Sequence, residues 1–364
     1  MKAFLVLSFI VVACASALAG WTVTYLNPDG SDWSFANGTS EGRQVGFARV
    51  GDNHHASLWG GTAASWIDLN PTGSTSSFAY SIAGDQQVGD AEFGYHIHAG
   101  LWSGTAASWV DLHPAGKRSS QALGTCDGQQ VGYASILGNI HASLWSGTAA
   151  SWVDLNLAGS PYSCAYGVSG GQQVGWAQVG SYYHASLWSG TSASWVDLNP
   201  GGSKSSYAYG VSGGQQVGSF NFGPYSRNHA ALWSGTAASL VDLNPAGSDL
   251  SYAYGVSAGH QVGWAAGEGV GGAHAGMWSG TAASFVDLHG LLSANYTNSR
   301  ARNVTSTSDG IWVTGYARTS ITGPDDAILW HYTEVIPEPS SLLALGAGLF
   351  GLAGIVRRRR ISLP

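Results

Sequence analysis

The chain is poor in charged residues and in cysteine, and both shortages exclude functions. Only 10% of its 364 residues are charged, and the 14 lysines and arginines are outnumbered by 21 aspartates and glutamates. A net charge of −7 with so few basic residues argues against nucleic acid and anionic lipid as partners. Three cysteines cannot build a disulfide-rich scaffold. We predict no bridge between Cys126 and Cys164, because they occupy non-equivalent positions of an internal repeat.

Signals for several kinds of active site are also missing. The chain has no His-Glu-x-x-His zinc motif and no phosphate-cradling loop that leads into a helix. We therefore predict no catalytic residue, no cofactor and no metal site. The abundant residues are glycine, tryptophan and tyrosine, with 53, 16 and 16 copies.

Residues 1–19 are typical of a secretory signal peptide. Lys2 precedes an apolar run over residues 3–13, and Ala17-Leu18-Ala19 stands ahead of Gly20. The protein is therefore expected to be exported. Lipid attachment at Cys14 is an alternative, since Val11-Val12-Ala13-Cys14 loosely fits a lipobox.

The C-terminal end has three consecutive parts: a short acidic motif, an apolar segment and a basic cluster. The apolar segment covers residues 340–356 and is at the short limit for a single transmembrane helix. Basic residues just beyond it would hold that end in the cytoplasm. The motif and the cluster consist of Pro337, Glu338, Pro339, Arg357, Arg358, Arg359 and Arg360. A plain C-terminal membrane anchor would have the same layout.

This tripartite tail resembles the PEP-CTERM sorting signal of exported bacterial proteins. The resemblance implies an exosortase-type sorting protease as partner and a helix that anchors the protein to the membrane only until it is removed. It also implies a final location at the cell surface or in the extracellular matrix, often beside exopolysaccharide. We divide the chain into a signal peptide (1–19), a repeat domain (20–333) and a sorting and anchor segment (334–364). Without both ends the chain keeps nine of its basic and twenty of its acidic residues, a net charge of −11.

The repeat domain contains seven copies of a unit of about 43 residues. Gly46, Gly89 and Gly132 mark its even spacing. In the copy that follows Gly190, four short strands are predicted at residues 194–198, 207–212, 215–220 and 230–233. Four strands per unit of this length predict an all-β, seven-bladed β-propeller, with a β-solenoid as the second possibility. The tryptophan that ends the fourth strand of each copy is expected in the core.

Six histidines each precede an aspartate by thirteen residues. The turn around Gly-Thr-Ala-Ala joins the two strands, so each pair can face across a hairpin. We predict a buried structural clasp in each blade, because six pairs spread around a ring cannot converge on one metal ion. The pairs are His55 and Asp68, His98 and Asp111, His141 and Asp154, His184 and Asp197, His229 and Asp242, and His274 and Asp287.

The seventh copy departs from this pattern. Asp326 stands at its histidine position, and the strand at residues 21–27 carries Tyr25 at the aspartate position. We therefore predict that the N-terminal strand completes the last blade and closes the ring. A pair between Tyr25 and Asp326 would replace the clasp there.

The copies differ most in their third loops, which emerge on one face of the predicted propeller. Tyrosines in these loops could stack on sugar rings, and polar groups could bind hydroxyls. This face is the predicted ligand-binding surface. Free drift of exposed loops is the alternative explanation. The candidate residues are Asp52, His54, Tyr95, His96, Tyr182, Tyr183, Tyr225 and Arg227.

The phrases His-Ala-x-Leu-Trp, Val-Asp-Leu, Ala-Tyr-Gly-Val-Ser and Gln-Val-Gly resemble the HAF-type extracellular repeat. Ser, Gly or Ala replaces the third-position Phe of that family. The resemblance implies an exported, propeller-like protein and supplies no catalytic residues. We expect a non-catalytic surface or matrix protein that binds polysaccharide or other matrix components through the face with the variable loops. The alternative is a propeller enzyme, a polysaccharide lyase or glycoside hydrolase, with its site in the central funnel.

Overall fold

The computed structural model describes residues 20–223, 227–267, 272–320 and 322–333. The predicted signal peptide, the sorting motif and the predicted transmembrane helix at residues 340–356 lie outside these residues. Within them, no helix has the length and apolar character needed to cross a membrane.

The described residues form the predicted seven-bladed all-β propeller, and each blade is a four-stranded antiparallel sheet. Blade 1 consists of β2 (Ser34–Ser40), β3 (Arg43–Val50), β4 (Asn53–Trp59) and β5 (Ile67–Asp68). Blade 2 consists of β6 (Ser77–Ala83), β7 (Gln86–Phe93), β8 (His96–Trp102) and β9 (Val110–Asp111). Blade 3 consists of β10 (Ser120–Cys126), β11 (Gln129–Ile136), β12 (Asn139–Trp145) and β13 (Val153–Asp154). Blade 4 consists of β14 (Ser163–Ser169), β15 (Gln172–Val179), β16 (Tyr182–Trp188) and β17 (Val196–Asp197).

Blade 5 consists of β18 (Ser205–Ser212), β19 (Gln215–Asn221), β20 (His229–Trp233) and β21 (Val241–Asp242). Blade 6 consists of β22 (Leu250–Ser257), β23 (His260–Ala266), β24 (His274–Trp278) and β25 (Val286–Asp287). Blade 7 consists of β26 (Asn298–Thr307), β27 (Gly310–Arg318), β28 (Asp325–Thr333) and the N-terminal β1 (Gly20–Tyr25). Short 3-10 helices lie at Ala63–Ser65, Ala106–Ser108, Ala149–Ser151, Ser192–Ser194, Ala237–Ser239, Ala282–Ser284 and His289–Leu291.

The first strand of each blade is the innermost, and it carries a β-bulge. In blade 1 the register between β2 and β3 shifts between Ala36 and Gly38, so Asn37 is the extra residue. The evenly spaced glycine lies directly across from this bulge. A Cβ on Gly46 would stand 1.8 Å from the carbonyl oxygen of Phe35, and the equivalent glycines of the other blades show distances up to 2.0 Å. The bulge therefore requires glycine at this position.

The core lies between neighbouring blades. A tryptophan lies at or near the end of the third strand of each blade, which is the fourth strand of the predicted unit, and it is fully buried, as predicted. Trp102 of blade 2, for example, packs against Val45, Leu58 and Leu69 of blade 1. Successive apolar residues are needed here because both faces of a blade are covered by its neighbours. The seven tryptophans are Trp59, Trp102, Trp145, Trp188, Trp233, Trp278 and Trp330.

All six predicted histidine–aspartate hydrogen bonds are present. The Nδ1···Oδ2 distances are between 2.7 and 3.0 Å. The expectation that the pairs are buried is wrong, because the aspartate ends the short outermost strand and its side chain is 35–48% exposed.

The same aspartate also connects each blade to the next one. The other oxygen of Asp68 accepts from the backbone N–H of Asn70 at 2.8 Å, and Asn70 accepts from the Ser77 hydroxyl at 2.6 Å. The Ser77 oxygen in turn accepts from the backbone N–H of Ala56 at 2.9 Å. This chain of hydrogen bonds joins the outer edge of blade 1 to the inner strand of blade 2.

The N-terminal strand closes the ring, as predicted. β1 is the outermost strand of blade 7, and the Leu26 N–H donates to the carbonyl oxygen of Ala327 at 2.9 Å. Across the junction, Phe35 of blade 1 contacts Tyr316 of blade 7 with ring centroids 4.5 Å apart. Because the first and last segments share one sheet, no blade is left with an open face.

The predicted pair between Tyr25 and Asp326 is wrong. The hydroxyl of Tyr296, a residue of the long connector before blade 7, donates to Asp326 at 2.6 Å, and Asn27 also donates to this carboxylate. The Tyr25 hydroxyl lies 3.1 Å from that of Ser293, and its ring stacks on Tyr296 at 5.7 Å. The inserted connector thus places a second tyrosine between the two predicted partners.

Candidate functional site

The propeller has two faces that differ in their loops. The predicted unit starts one strand earlier than a blade, so its third loops are the loops between the second and third strands of each blade. These loops and the connectors between blades form one face, which we call the variable face. The loops between first and second strands and between third and fourth strands form the opposite, constant face. The described residues of the loops between second and third strands are 51–52, 94–95, 137–138, 180–181, 222–223, 227–228, 267, 272–273, 319–320 and 322–324.

Four predicted ligand-binding residues belong to blades 1 and 2, and their environments differ. Asp52 is fully exposed, with an oxygen 3.7 Å from the Arg49 guanidinium. Tyr95 is also fully exposed. His96 begins β8, and its Nδ1 lies 3.2 Å from the carbonyl oxygen of Arg118. His54 lies inside β4 rather than in a loop and is half-buried among aromatic rings.

The remaining candidates belong to blades 4 and 5. Tyr182 is 39% exposed, and its hydroxyl accepts from the Lys204 ammonium at 2.8 Å. Tyr183 is 37% exposed and packs edge-on against Trp176 at 4.8 Å. Arg227 is exposed, and Tyr225 lies outside the described residues. The structure therefore distributes the candidates over the face and does not bring them into one site.

Sequence comparison of the loops missed two groups of aromatic side chains on this side of the ring. The first aromatic cluster lies in blades 1 and 2 and consists of Trp33, Phe35, Phe47, His54 and Phe78. Its ring centroids are 4.6–6.2 Å apart. Burial and the charge of Arg49 lower the pKa of His54, so this imidazole is neutral at pH 7 and acts as another flat ring.

The second aromatic cluster lies in blades 4 to 6. It consists of Trp176, Tyr183, Tyr207, Tyr252 and Trp264. The guanidinium of Arg300, from blade 7, lies 4.5 Å above the Trp264 ring. Most of these residues are on strands, at positions where the seven copies differ. A comparison of strand positions, and not of loops alone, would have found them.

A cavity of about 560 Å³ runs along the ring axis. Its walls begin at the bulge residues and continue to the ends of the inner strands, such as Ser40 and Ser212. It therefore lies in the half of the channel nearest the constant face. The seven bulge residues form its inner ring: Asn37, Tyr80, Leu123, Tyr166, Tyr209, Tyr254 and Arg302.

Aromatic stacking connects this inner ring to the variable-face side. Tyr207 stacks on Tyr209 with centroids 6.2 Å apart, and Tyr252 stacks on Tyr254 at 6.0 Å. Phe78 stacks on Tyr80 at 6.4 Å. The aromatic clusters therefore adjoin the axial cavity through stacked rings, with the clusters nearer the variable face and the cavity nearer the constant face.

Asp90 is a buried carboxyl group behind the cavity wall. It is 3% exposed, and burial together with the nearby Glu92 charge raises its pKa to about 7, although a hydrogen bond from Tyr80 opposes the shift. Its Oδ1 atom has no hydrogen-bond partner within the part of the chain that the structure describes. The other six blades carry aromatic rings or serine at this position.

Two observations bear on catalysis and metal binding. The inner strands of blades 4 to 6 end in sequences such as Gly-Val-Ser-Gly-Gly at 167–171, which matches the letters of the nucleophile elbow Gly-x-Ser-x-Gly. That elbow requires a strand, a turn and a helix, whereas here a second strand follows. In residues 20–333, apart from the short gaps, no three His, Cys, Asp or Glu side chains come together as metal ligands.

Residues 335–360 match the PEP-CTERM protein-sorting motif. This motif implies an exported protein that is sorted to the cell surface, and motifs of this type are recognised by exosortases. No curated protein is significantly similar in sequence. The HAF-type resemblance stays a sequence-based interpretation.

The propeller is similar to several solved structures. A puromycin hydrolase has a TM-score of 0.52 at 11% identity, with 81% of this chain and 53% of that chain covered. The acylaminoacyl peptidase of Pyrococcus horikoshii has a TM-score of 0.52 at 9% identity, with 88% and 55% covered. A prolyl endopeptidase has a TM-score of 0.51 at 12% identity, with 85% and 51% covered. The chain spans about half the length of these proteins, and the similarity shows the fold alone.

Proposed function

We propose that this protein is a non-catalytic cell-surface or matrix protein that binds extracellular polysaccharide through its variable face. The observation that carries the proposal is the pair of aromatic clusters on that side, in which partly exposed rings such as Tyr183 are held against buried rings such as Trp176. Flat apolar rings stack on the C–H faces of sugars, and a binding site needs such rings held in place by packing. In the second cluster, Tyr183 is held in this way by Trp176 and Tyr207.

The basic side chains do not make this face positive. It carries Arg49, Lys117, Arg118, Lys204, Arg227, Arg300 and Arg318, but the six clasp aspartates end the outermost strands on the same side. Arg318 is paired with Asp325 at 2.7 Å, and the Arg49 guanidinium lies 3.7 Å from Asp32 and from Asp52. Stacking on aromatic rings, rather than charge attraction, is therefore the proposed mode of binding.

The rival is a propeller enzyme that cleaves polysaccharide. Most glycoside hydrolases need two carboxyl groups on opposite sides of the scissile bond. No aspartate or glutamate is among the described residues that line the axial cavity, and Asp90 is a single carboxyl group behind Tyr80. These features favour binding over cleavage.

The test is a binding measurement on a triple variant, Tyr95→Ala, Tyr182→Ala and Tyr183→Ala. The probe is exopolysaccharide from the cells that export the protein, measured by co-sedimentation and by release of reducing ends. Each lost ring contact costs about 0.5–1.5 kcal/mol, so affinity should fall by roughly tenfold or more. No reducing ends should be released by either protein.

A matched control removes similarly exposed side chains from the outer edge of the ring. Val110, Val153 and Val196 are 38–40% exposed on the outermost strands, and their replacement by alanine should leave binding unchanged. Equal affinities of the tyrosine and valine variants would contradict the proposal. Release of reducing ends by the wild-type protein would favour the enzyme.

A further inference from the structure

The axial cavity contains a positive charge that lacks a counter-ion. Arg302 is the bulge residue of β26, and it lines the cavity together with four bulge tyrosines. Among the described residues no carboxylate forms an ion pair with its guanidinium. By contrast, Arg318 is paired with Asp325 at 2.7 Å and Arg43 with Asp85 at 2.7 Å.

Arg302 contacts the face of an aromatic ring. Its guanidinium carbon lies 4.6 Å above the ring of Tyr254. Stacking of this kind holds the planar group in one orientation and leaves its N–H edge to donate to an anion. The Tyr254 oxygen accepts from the indole of Trp264 at 3.3 Å, which leaves the phenol O–H hydrogen for a further acceptor.

The rest of the wall consists of aromatic rings, hydroxyl groups and an amide. Tyr80, Tyr166 and Tyr209 continue the ring beyond Tyr254, and the Asn37 side chain donates to the carbonyl oxygen of Ala79 at 3.0 Å, which leaves its own oxygen as an acceptor. Nearer the constant face the cavity is lined by Ser40, Ser169, Ser212, Ser257 and Thr305. Such a wall can bind a ligand with several hydroxyl groups and one apolar face.

The size of the cavity and its single positive charge narrow the choice of ligand further. A volume of about 560 Å³ is typical of small-molecule sites and far larger than an inorganic anion needs. One guanidinium with no second cation matches a single negative charge, so a carboxylate fits better than a diphosphate. We propose that the axial cavity is a binding site for a uronic acid, with the carboxylate on Arg302 and the sugar ring against the tyrosines. This site opens toward the constant face and does not depend on polysaccharide binding by the variable face.

The test is isothermal titration calorimetry of the purified protein with D-glucuronic acid, its methyl ester, D-glucose and acetate. The ester keeps the ring and removes the charge, so it needs no protein variant. A charge-assisted hydrogen bond is worth enough to change affinity by about tenfold or more. The acid should therefore bind at least about tenfold more tightly than the ester, glucose or acetate.

Arg302→Gln should remove this preference, and Arg118→Gln, which removes an exposed arginine on the variable face, should retain it. Far-UV circular dichroism and thermal unfolding report whether each variant is folded. The triple tyrosine variant of the variable face should bind glucuronic acid as the wild type does, which separates the two proposals. Equal affinity for the acid and the ester, or for the acid and acetate, would overturn the inference. So would unchanged binding by a folded Arg302→Gln variant.

Free uronic acid and the terminal uronate of an acidic chain share this chemistry. A disaccharide with a terminal glucuronate distinguishes the two sources. If the disaccharide competes with free glucuronic acid for the protein, the cavity binds the ends of acidic chains. If the disaccharide does not bind, the cavity is a site for the monosaccharide.

Discussion

Asp90→Asn should stabilise the protein at neutral pH, and the gain should grow with pH. Asp90 lies in the middle of β7, with Cα partners Phe78 and Ala99 on the neighbouring strands, and it is 3% exposed. Its carboxyl group is desolvated and lies near Glu92, so the protonated form is favoured and the pKa rises from 3.8 to about 7. Asparagine has the same shape and carries no charge at any pH.

The sign and size of the effect follow from proton linkage. Between about pH 4 and pH 7 the folded protein keeps a proton on Asp90 that the unfolded chain has lost. The free energy of unfolding therefore falls as the pH rises through this window. A shift of about 3 pKa units corresponds to about 4 kcal/mol, which is reached above pH 7. The variant lacks this loss, so its advantage should be near zero at pH 4 and about 4 kcal/mol at pH 8.

The assay is urea unfolding followed by tryptophan fluorescence, for wild type and variant, at several pH values from 4 to 8. Other titrating groups are common to both proteins and cancel in the difference between them. Asp249→Asn, which removes an exposed carboxylate in a connector, is the matched control and should show no pH-dependent difference. A difference between Asp90→Asn and wild type that stays constant with pH would refute the reasoning, because it would mean that Asp90 is ionised in the folded protein at all these pH values.

Two further predictions concern the frame of the ring. Gly132→Ala would place a Cβ 1.9 Å from the backbone oxygen of Gln121 and should lower the free energy of unfolding by about 3 kcal/mol, whereas Gly201→Ala, which has open space around it, should cost far less; equal urea midpoints for the two variants would show that the bulge does not require glycine. Tyr296→Phe removes the 2.6 Å hydrogen bond to Asp326 and should cost about 1.5 kcal/mol, whereas Tyr25→Phe, which loses a contact to the exposed Ser293, should cost less. The same unfolding assay checks this order, and a larger loss for Tyr25→Phe would restore Tyr25 as the partner that secures ring closure.

The sequence was sufficient to predict the features that all copies share. Strand number, blade count and the buried tryptophans recur with a constant spacing, so one well-bounded copy predicts the others. The closing role of β1 was predictable because Tyr25 and Asp326 depart from the pattern at the two ends of the chain. Each histidine–aspartate bond was predictable because a hairpin with a constant turn fixes which residues face each other.

The features that belong to single copies were harder to predict. Tyr296 lies in an insertion that lengthens the connector before blade 7 and has no counterpart in the other connectors, so the spacing of the repeat could not place it beside Asp326. His54 and Tyr183 were expected in loops, but β4 and β16 begin before them and the intervening turns have only two residues. The side chains that turn toward the axis depend on a bulge, which inserts one residue and reverses the alternation beyond it.

That bulge explains how one repeated strand can build a cavity whose wall varies from blade to blade. The glycine opposite each bulge is the same in all seven blades, because any Cβ there would collide with the backbone of the inner strand. The bulge residue itself faces the axial cavity, and several bulge tyrosines also form a hydrogen bond with a side chain of the second strand, as Tyr254 does with Trp264. Six of these positions carry asparagine, tyrosine or leucine, and one carries Arg302, so this one position sets the charge of the cavity wall. The repeat thus separates the residues that must be identical for the ring to form from the residues that can be changed to suit a ligand.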